Sequence, residues 1–126
     1  IMERHRAEGG LICVVSHSSR ANILRDYDTH FHFRPDAIYG WDLPEEQRKP
    51  NPYPLMDIME RYGFSAENLL VVDDMKLAWK MANPLGVKVA YAGWTDTGVT
   101  HIAEEMIHLC DFHFRTIAEF EEFLFS

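Results

Sequence analysis

Cysteine is scarce in this chain, with two in 126 residues and no Cys-x-x-Cys pair. That excludes a disulfide scaffold and a thiolate-rich metal site. Cys13 sits inside an apolar run and Cys110 near the end of a helical pattern, so both read as small core residues of a reducing compartment, with the cytoplasm as the default. Positive charge is also short. Twelve Lys and Arg face 20 Asp and Glu, for a formal net charge of −8. This argues against nucleic acid or an anionic membrane as the main partner. No apolar run approaches membrane-spanning length, and no signal-peptide pattern precedes the first strand. Internal repeats, linkers and low-complexity stretches are absent as well. With 47% hydrophobic residues, the chain reads as a single soluble domain over residues 1–126.

What is present is alternation. Ile1 to Gly10 reads as the last turns of a helix with a glycine stop. Leu11–Val15 is a first apolar run, followed by Ser18 and Ser19 as N-caps of a short helix carrying Ile23 and Leu24. Ala37–Tyr39 is a second strand. Asn51-Pro52 supplies an N-cap and a first-turn proline, and Leu55, Ile58, Met59 and Tyr62 then recur at helical spacing up to Gly63. Leu69–Val72 is a third strand. Leu77, Ala78, Met81, Ala82 and Leu85 form a stripe ending at Gly86, with Asn83-Pro84 distorting the last turn. Val87–Tyr91 is a fourth strand, Ile102 to Ile107 a helix, and Phe112–Phe114 a short fifth strand. Thr116 and Glu119 make a capping box for a C-terminal helix bearing Ile117, Phe120 and Leu124. Strands alternating with helices predict an α/β fold, a Rossmann-like three-layer sandwich with a mostly parallel sheet.

Two adjacent acids, Asp73 and Asp74, close the third apolar run. In open α/β sheets the C-terminal strand edge is where ligands bind. Carboxylates that close repel unless a cation sits between them, which points to Mg²⁺. The plainer alternative is that one aspartate caps the next helix while the other is solvated.

Three segments present polar groups in a fixed order: Val14-Val15-Ser16-His17-Ser18, then Arg48-Lys49-Pro50-Asn51-Pro52, then Asp73-Asp74. This order resembles the haloacid dehalogenase (HAD) superfamily of phosphohydrolases, with a hydroxyl after one strand, a lysine in a Lys-Pro-x-Pro run, and an acidic pair. The continuation from Asp73 through Ala78 and Ala82 to Gly86-Val87 is similar to the helix that follows that family's acidic pair. The resemblance implies a Mg²⁺-dependent phosphatase of a small phosphorylated metabolite, working through a phospho-aspartate. It implies that Ser16 and Lys49 serve catalysis by binding the phosphoryl group, and that Asp73 and Asp74 hold the metal. His17, beside Ser16, is a further phosphate contact or simply a loop histidine. Aligned on Ala82 and Gly86, Asp74 takes the place of the family's most regular metal acid and Asp73 replaces a glycine.

The family's nucleophile motif, Asp-x-Asp-x-Thr or Val after a first strand, does not precede Ser16. Asp26-Tyr27-Asp28-Thr29-His30 imitates it but follows a helical pattern, so it reads as a polar helix end and turn. The resembled fold places the nucleophile strand between the strands ending at Ser16 and Asp73. The chain is therefore expected to be the C-terminal part of a longer hydrolase, inactive alone, with a gap in its sheet that an N-terminal segment or a second chain completes. The interval from Ser16 to Lys49 leaves no room for a large inserted cap. Two other readings compete. One is a catalytically dead HAD-like binding or scaffold protein. The other is a receiver-type signalling domain, which uses similar groups in a different order.

Other polar and aromatic residues allow plainer readings. His30 and His32 show a strand-like alternation that suits an exposed edge better than a metal site. His113 is expected to face outward. Trp41, Asp42 and the Trp94-Thr95-Asp96 run either line the pocket or pack loops. Met56, Met59, Met75, Met81 and Met106 read as core filler.

Overall fold

The computed structural model describes residues 1–95 and 100–125, with backbone only for Thr95, Thr100, His101 and Ile102. Asp96, placed near the active edge by the sequence, lies outside the described residues. The chain begins with helix α1 (Met2–Ala7), strand β1 (Cys13–Val15), helix α2 (Arg20–His30) and strand β2 (Ala37–Tyr39). Then come α3 (Tyr53–Tyr62), β3 (Leu70–Asp73), α4 (Lys76–Ala82), β4 (Lys88–Ala92), α5 (Thr100–Leu109), β5 (Phe112–Phe114) and α6 (Ile117–Leu124).

Local chemistry explains most of the boundaries. Ser19 caps α2, its hydroxyl accepting from Asn22 N–H at 3.2 Å. Gly63, at φ 69°, ends α3 in the left-handed conformation that glycine adopts without penalty. Thr116 caps α6 by accepting from Glu119 N–H at 3.1 Å, and Glu119 accepts in return from Arg115 N–H at 2.9 Å. Asn51 acts one step ahead of the expected position. Its side chain accepts from Tyr53 N–H at 3.0 Å, which leaves Pro52 in the cap position. As the distorted stripe suggested, α4 tightens into a 3₁₀ turn over Asn83–Leu85 before Gly86.

All pairings are parallel. They form two ladders, β1 with β2 and β3 with β4 with β5, and no ladder joins β1 to β3 among the described residues. One apolar layer nevertheless runs under both. Cys13, Val15, Ala37, Tyr39, Val71, Val89 and Tyr91 pack with Leu55 and Ile58 of α3, Met81 and Ala82 of α4, and Met106 and Cys110 of α5. The alternation of strand side chains sends the remaining positions to the opposite face. There Phe112 and Phe114 meet Phe120 and Phe123 of α6 at centroid distances of 4.7–5.5 Å. Helices thus cover both faces and the three-layer α/β reading holds. Between the ladders the second face is thinly covered, leaving Val72 40% exposed.

The structure corrects two expectations. Residues 31–36 form no strand; Phe31 and Phe33 turn back on Tyr27 at centroid distances of 5.1 and 5.6 Å, and His30 and His32 are exposed. An aromatic cluster outweighs the alternating pattern because burying three rings is worth more than extending an unpaired segment. Met81 and Met106 are core residues, but Met56 and Met75 are about half exposed, since they fall on the solvent sides of α3 and the β3–α4 turn. His113 is exposed, as expected.

Candidate functional site

Each strand that matters delivers its polar residues at its C-terminal end. Ser16 extends the β1–β2 ladder by one bond, its N–H donating to Tyr39 carbonyl at 3.0 Å. Its hydroxyl accepts from Ser18 N–H at 3.1 Å, which folds the chain into a tight polar turn. The neighbouring loop after β2 is tied to that turn, with Trp41 N–H donating to Ser18 carbonyl at 2.9 Å. Asp42 accepts from Arg20 N–H at 2.6 Å and so supports the start of α2. The loop therefore has a structural duty for Asp42, while Trp41 stands 53% exposed beside the site.

Among the described residues Lys49 is the one charged residue that is buried, at 8% exposure. Its ammonium lies 3.1 Å from Asp73 Oδ2. Its carbonyl accepts from His17 Nε2 at 3.3 Å. The other oxygen of Asp73 accepts from Asp74 N–H at 2.7 Å and Met75 N–H at 3.1 Å. Asp73 thus turns the chain out of β3 while holding Lys49; it does not cap α4, whose N-cap position is Met75 with no side-chain cap bond. Asp74 is exposed on the same turn. The segments carrying Ser16, His17, Lys49, Asp73 and Asp74 therefore meet at one rim, with His17, Lys49 and Asp73 linked by direct contacts.

Reading the sequence gave Arg48 no role. Its guanidinium lies 3.7 Å above the Trp41 ring, and its Nη1 donates to Trp41 carbonyl at 3.4 Å. His17 meets the same indole edge-on at 5.3 Å. The available signal was a second cation next to Lys49, opposite an exposed tryptophan after β2.

The two cysteines are not part of this chemistry. Both are free. Burial pushes the Cys110 thiol up to about 11 and raises that of Cys13 as well, which keeps both protonated and unreactive.

Among the described residues no group of three or more His, Cys, Asp and Glu could hold a metal ion. Mg²⁺ makes a smaller demand. It is commonly held by one or two carboxylates, with water and substrate phosphate completing the shell. The adjacent carboxylates of Asp73 and Asp74 fit that requirement as hard oxygen donors.

The rim lies at the C-terminal edge of parallel strands in a Rossmann-like α/β core. Solved structures share it. A predicted phosphoglycolate phosphatase from Haemophilus somnus 129pt superposes with a TM-score of 0.77 at 19% identity, covering 98% of this chain. The core domain of a Streptococcus pneumoniae TIGR4 protein given the same provisional activity superposes with a TM-score of 0.71 at 12% identity, again over 98% of this chain. The chain spans about half (53%) of the first of these proteins and 81% of the second. At these identities the likeness establishes the fold. No family profile matches the sequence, and neither does any curated protein. No described helix is long and apolar enough to cross a membrane.

Proposed function

We propose that this chain forms most of the core of a Mg²⁺-dependent phosphohydrolase acting on a small phosphorylated metabolite in the cytoplasm. The observation that carries the reading is the buried Lys49 ammonium beside the Asp73 carboxylate at the C-terminal strand edge, with His17 bonded to the Lys49 backbone carbonyl. Phosphoryl transfer requires neutralising charge on the equatorial oxygens and holding the attacking group in line. Lys49 supplies a fixed cation for that purpose. Ser16 would offer a hydroxyl at the mouth of β1, and His17 would touch the phosphate or the leaving group. Asp73 and Asp74 would hold Mg²⁺, which supplies charge neutralisation to the phosphoryl oxygens when bound. Removing one such preorganised donor costs about 3–4 kcal/mol of barrier.

The one Asp-x-Asp run of the sequence, Asp26-Tyr27-Asp28, lies in α2 rather than after a strand. The reading therefore assigns the nucleophilic carboxylate to a segment or partner chain that adds a strand between β1 and β3. The separation of the two ladders supports this, because an unpaired row of backbone donors and acceptors favours strand addition.

The test is to incubate the pure 126-residue chain with p-nitrophenyl phosphate and MgCl₂, and separately to titrate it with inorganic phosphate. The expected result is phosphate binding, weakened by Lys49→Ala, without turnover. Turnover by the isolated chain would refute the assignment of the nucleophile to another segment. Binding that is indifferent to Lys49→Ala would refute the phosphate site.

A further inference from the structure

We infer that Trp41 is a positioning residue of the phosphate site: its ring pins the segment carrying Lys49 to the turn carrying Ser16. The inference rests on the phosphate site proposed above and adds how the two sides of that site are kept at a fixed spacing.

Among the described residues no strand ladder joins the segments of Ser16 and Lys49, because Lys49 lies past β2 on the approach to α3. The ammonium of Lys49 is anchored elsewhere, to Asp73 at the end of β3. Since β1 and β3 share no ladder either, Lys49 would follow β3 and leave the Ser16 turn unless a further contact held the two together. A phosphate gripped from both sides needs that spacing fixed, because a misplacement of about 1 Å can cost a site much of its effect.

The contacts that fix it gather on Trp41. On the Ser16 side, Trp41 N–H donates to Ser18 carbonyl at 2.9 Å, and the indole takes the His17 ring edge-on at 5.3 Å. On the Lys49 side, the Arg48 guanidinium lies 3.7 Å above the same indole, and its Nη1 donates to Trp41 carbonyl at 3.4 Å. The 3₁₀ turn Glu45–Gln47 separates Arg48 from Trp41 along the chain, so the stack folds the peptide back on itself. His17 closes the circuit, with its Nε2 3.3 Å from Lys49 carbonyl.

Burial does not account for this ring. Trp41 is 53% exposed and so contributes little to the core. An exposed cation–π contact is also weak, which means that its loss can shift a loop without unfolding the protein. Trp41→Ala removes the ring contacts and keeps both backbone bonds of the residue. Because tryptophan is neutral, the substitution leaves the charge facing an anion unchanged.

The test compares the 126-residue chain with Trp41→Ala and Trp41→Phe, using inorganic phosphate with MgCl₂ in calorimetry and limiting acetic anhydride as a probe of lysine accessibility. Mass spectrometry reads the labelling of Lys49 against exposed Lys80, and iodoacetamide on the buried Cys110 thiol controls for general loosening. Trp41→Ala should weaken phosphate binding about fivefold, equivalent to about 1 kcal/mol, the scale of a lost cation–π contact. Labelling of Lys49 should rise by about the same factor, while Lys80 and Cys110 keep their wild-type rates. Trp41→Phe retains a ring face for the guanidinium and should recover most of both effects. A ring that touched the ligand itself would lower affinity without changing Lys49 labelling, and that result overturns the inference. Wild-type phosphate affinity in Trp41→Ala overturns it too, as does Cys110 labelling that rises together with Lys49. In each of these cases the phosphate site stands. If the unmodified chain binds no phosphate, the site itself falls and the positioning role falls with it.

Discussion

Lys49 and Asp73 face each other at 3.1 Å with side-chain exposures of 6% and 19%, so the pair is largely withdrawn from water. Removing one member of a buried pair leaves the other uncompensated, at about 3–5 kcal/mol where burial is complete. Asp73 keeps two backbone N–H donors after Lys49 is lost, which softens the penalty. We expect Lys49→Ala to cost about 2 kcal/mol in urea unfolding, by discounting the fully buried figure. A double-mutant cycle with Asp73→Asn should return a coupling energy above about 1 kcal/mol. Additive effects would show that the contact contributes nothing specific.

Gly40 lies where the loops after β1 and β2 touch. A methyl group there would stand 2.8 Å from Ser18 carbonyl oxygen and 3.0 Å from Arg20 nitrogen, both backbone atoms. Because neither can swing aside, Gly40→Ala must push the Ser16–Ser18 turn away from Trp41. The expected loss is about 1–3 kcal/mol of stability, as for other overpacked sites, together with weaker phosphate binding. Wild-type affinity in a folded Gly40→Ala protein would show that the turn takes no part in binding.

The metal assignment predicts an asymmetry between similar substitutions. Asp74→Asn should weaken Mg²⁺ binding by about tenfold or more, the scale on which even supporting groups of a metal site act. Glu67→Gln, on the 3₁₀ turn before β3, should leave it unchanged. Titration of both variants followed by calorimetry decides the matter, and equal affinities would remove Asp74 from the metal site.

Alkaline pH should destabilise the fold through groups away from the rim. Burial raises the Cys110 thiol from 9.0 to about 11, and burial together with Asp57 raises the Tyr39 phenol above its usual value near 10. A group whose folded value is raised releases its proton first in the unfolded chain. Its contribution is therefore complete below the unfolded value and lost as pH rises toward the folded one. Stability should thus decline from about pH 9 upward. Cys110→Ala should flatten the first part of that decline and Tyr39→Phe the part above about pH 10. Unfolding midpoints measured at intervals from neutral to alkaline pH give the comparison.

Much of this was legible in the sequence because the signals are local. Ser19, Gly63 and Thr116 mark helix ends by chemistry that spans a few residues, and the order of Ser16, Lys49 and Asp73 places all three at one edge once the strands are parallel. Contacts distant in the chain were not legible. Asp36 holds Arg6 at 2.5 Å and the Ile12 N–H at 2.8 Å, and Asp57 accepts from Tyr39, yet in sequence both look like ordinary surface acids. The dual engagement of Asp73 was hidden for the same reason. Arg48 carried no periodic signal at all, since its partner Trp41 belongs to a different loop.

Among the described residues the two ladders share side-chain packing but no backbone bonding, and this sets how the native state opens. Strand β4 is paired on both sides and buried from Val89 to Ala92, so the amides of those residues should be the slowest to exchange with deuterium. The β1–β2 pair can swing as a unit without breaking a ladder, by loosening apolar contacts and a few side-chain bonds, Tyr39 to Asp57 and His17 to Lys49 among them. Such breathing would widen the seam that ends at Lys49, so that the line of opening runs into the charged rim.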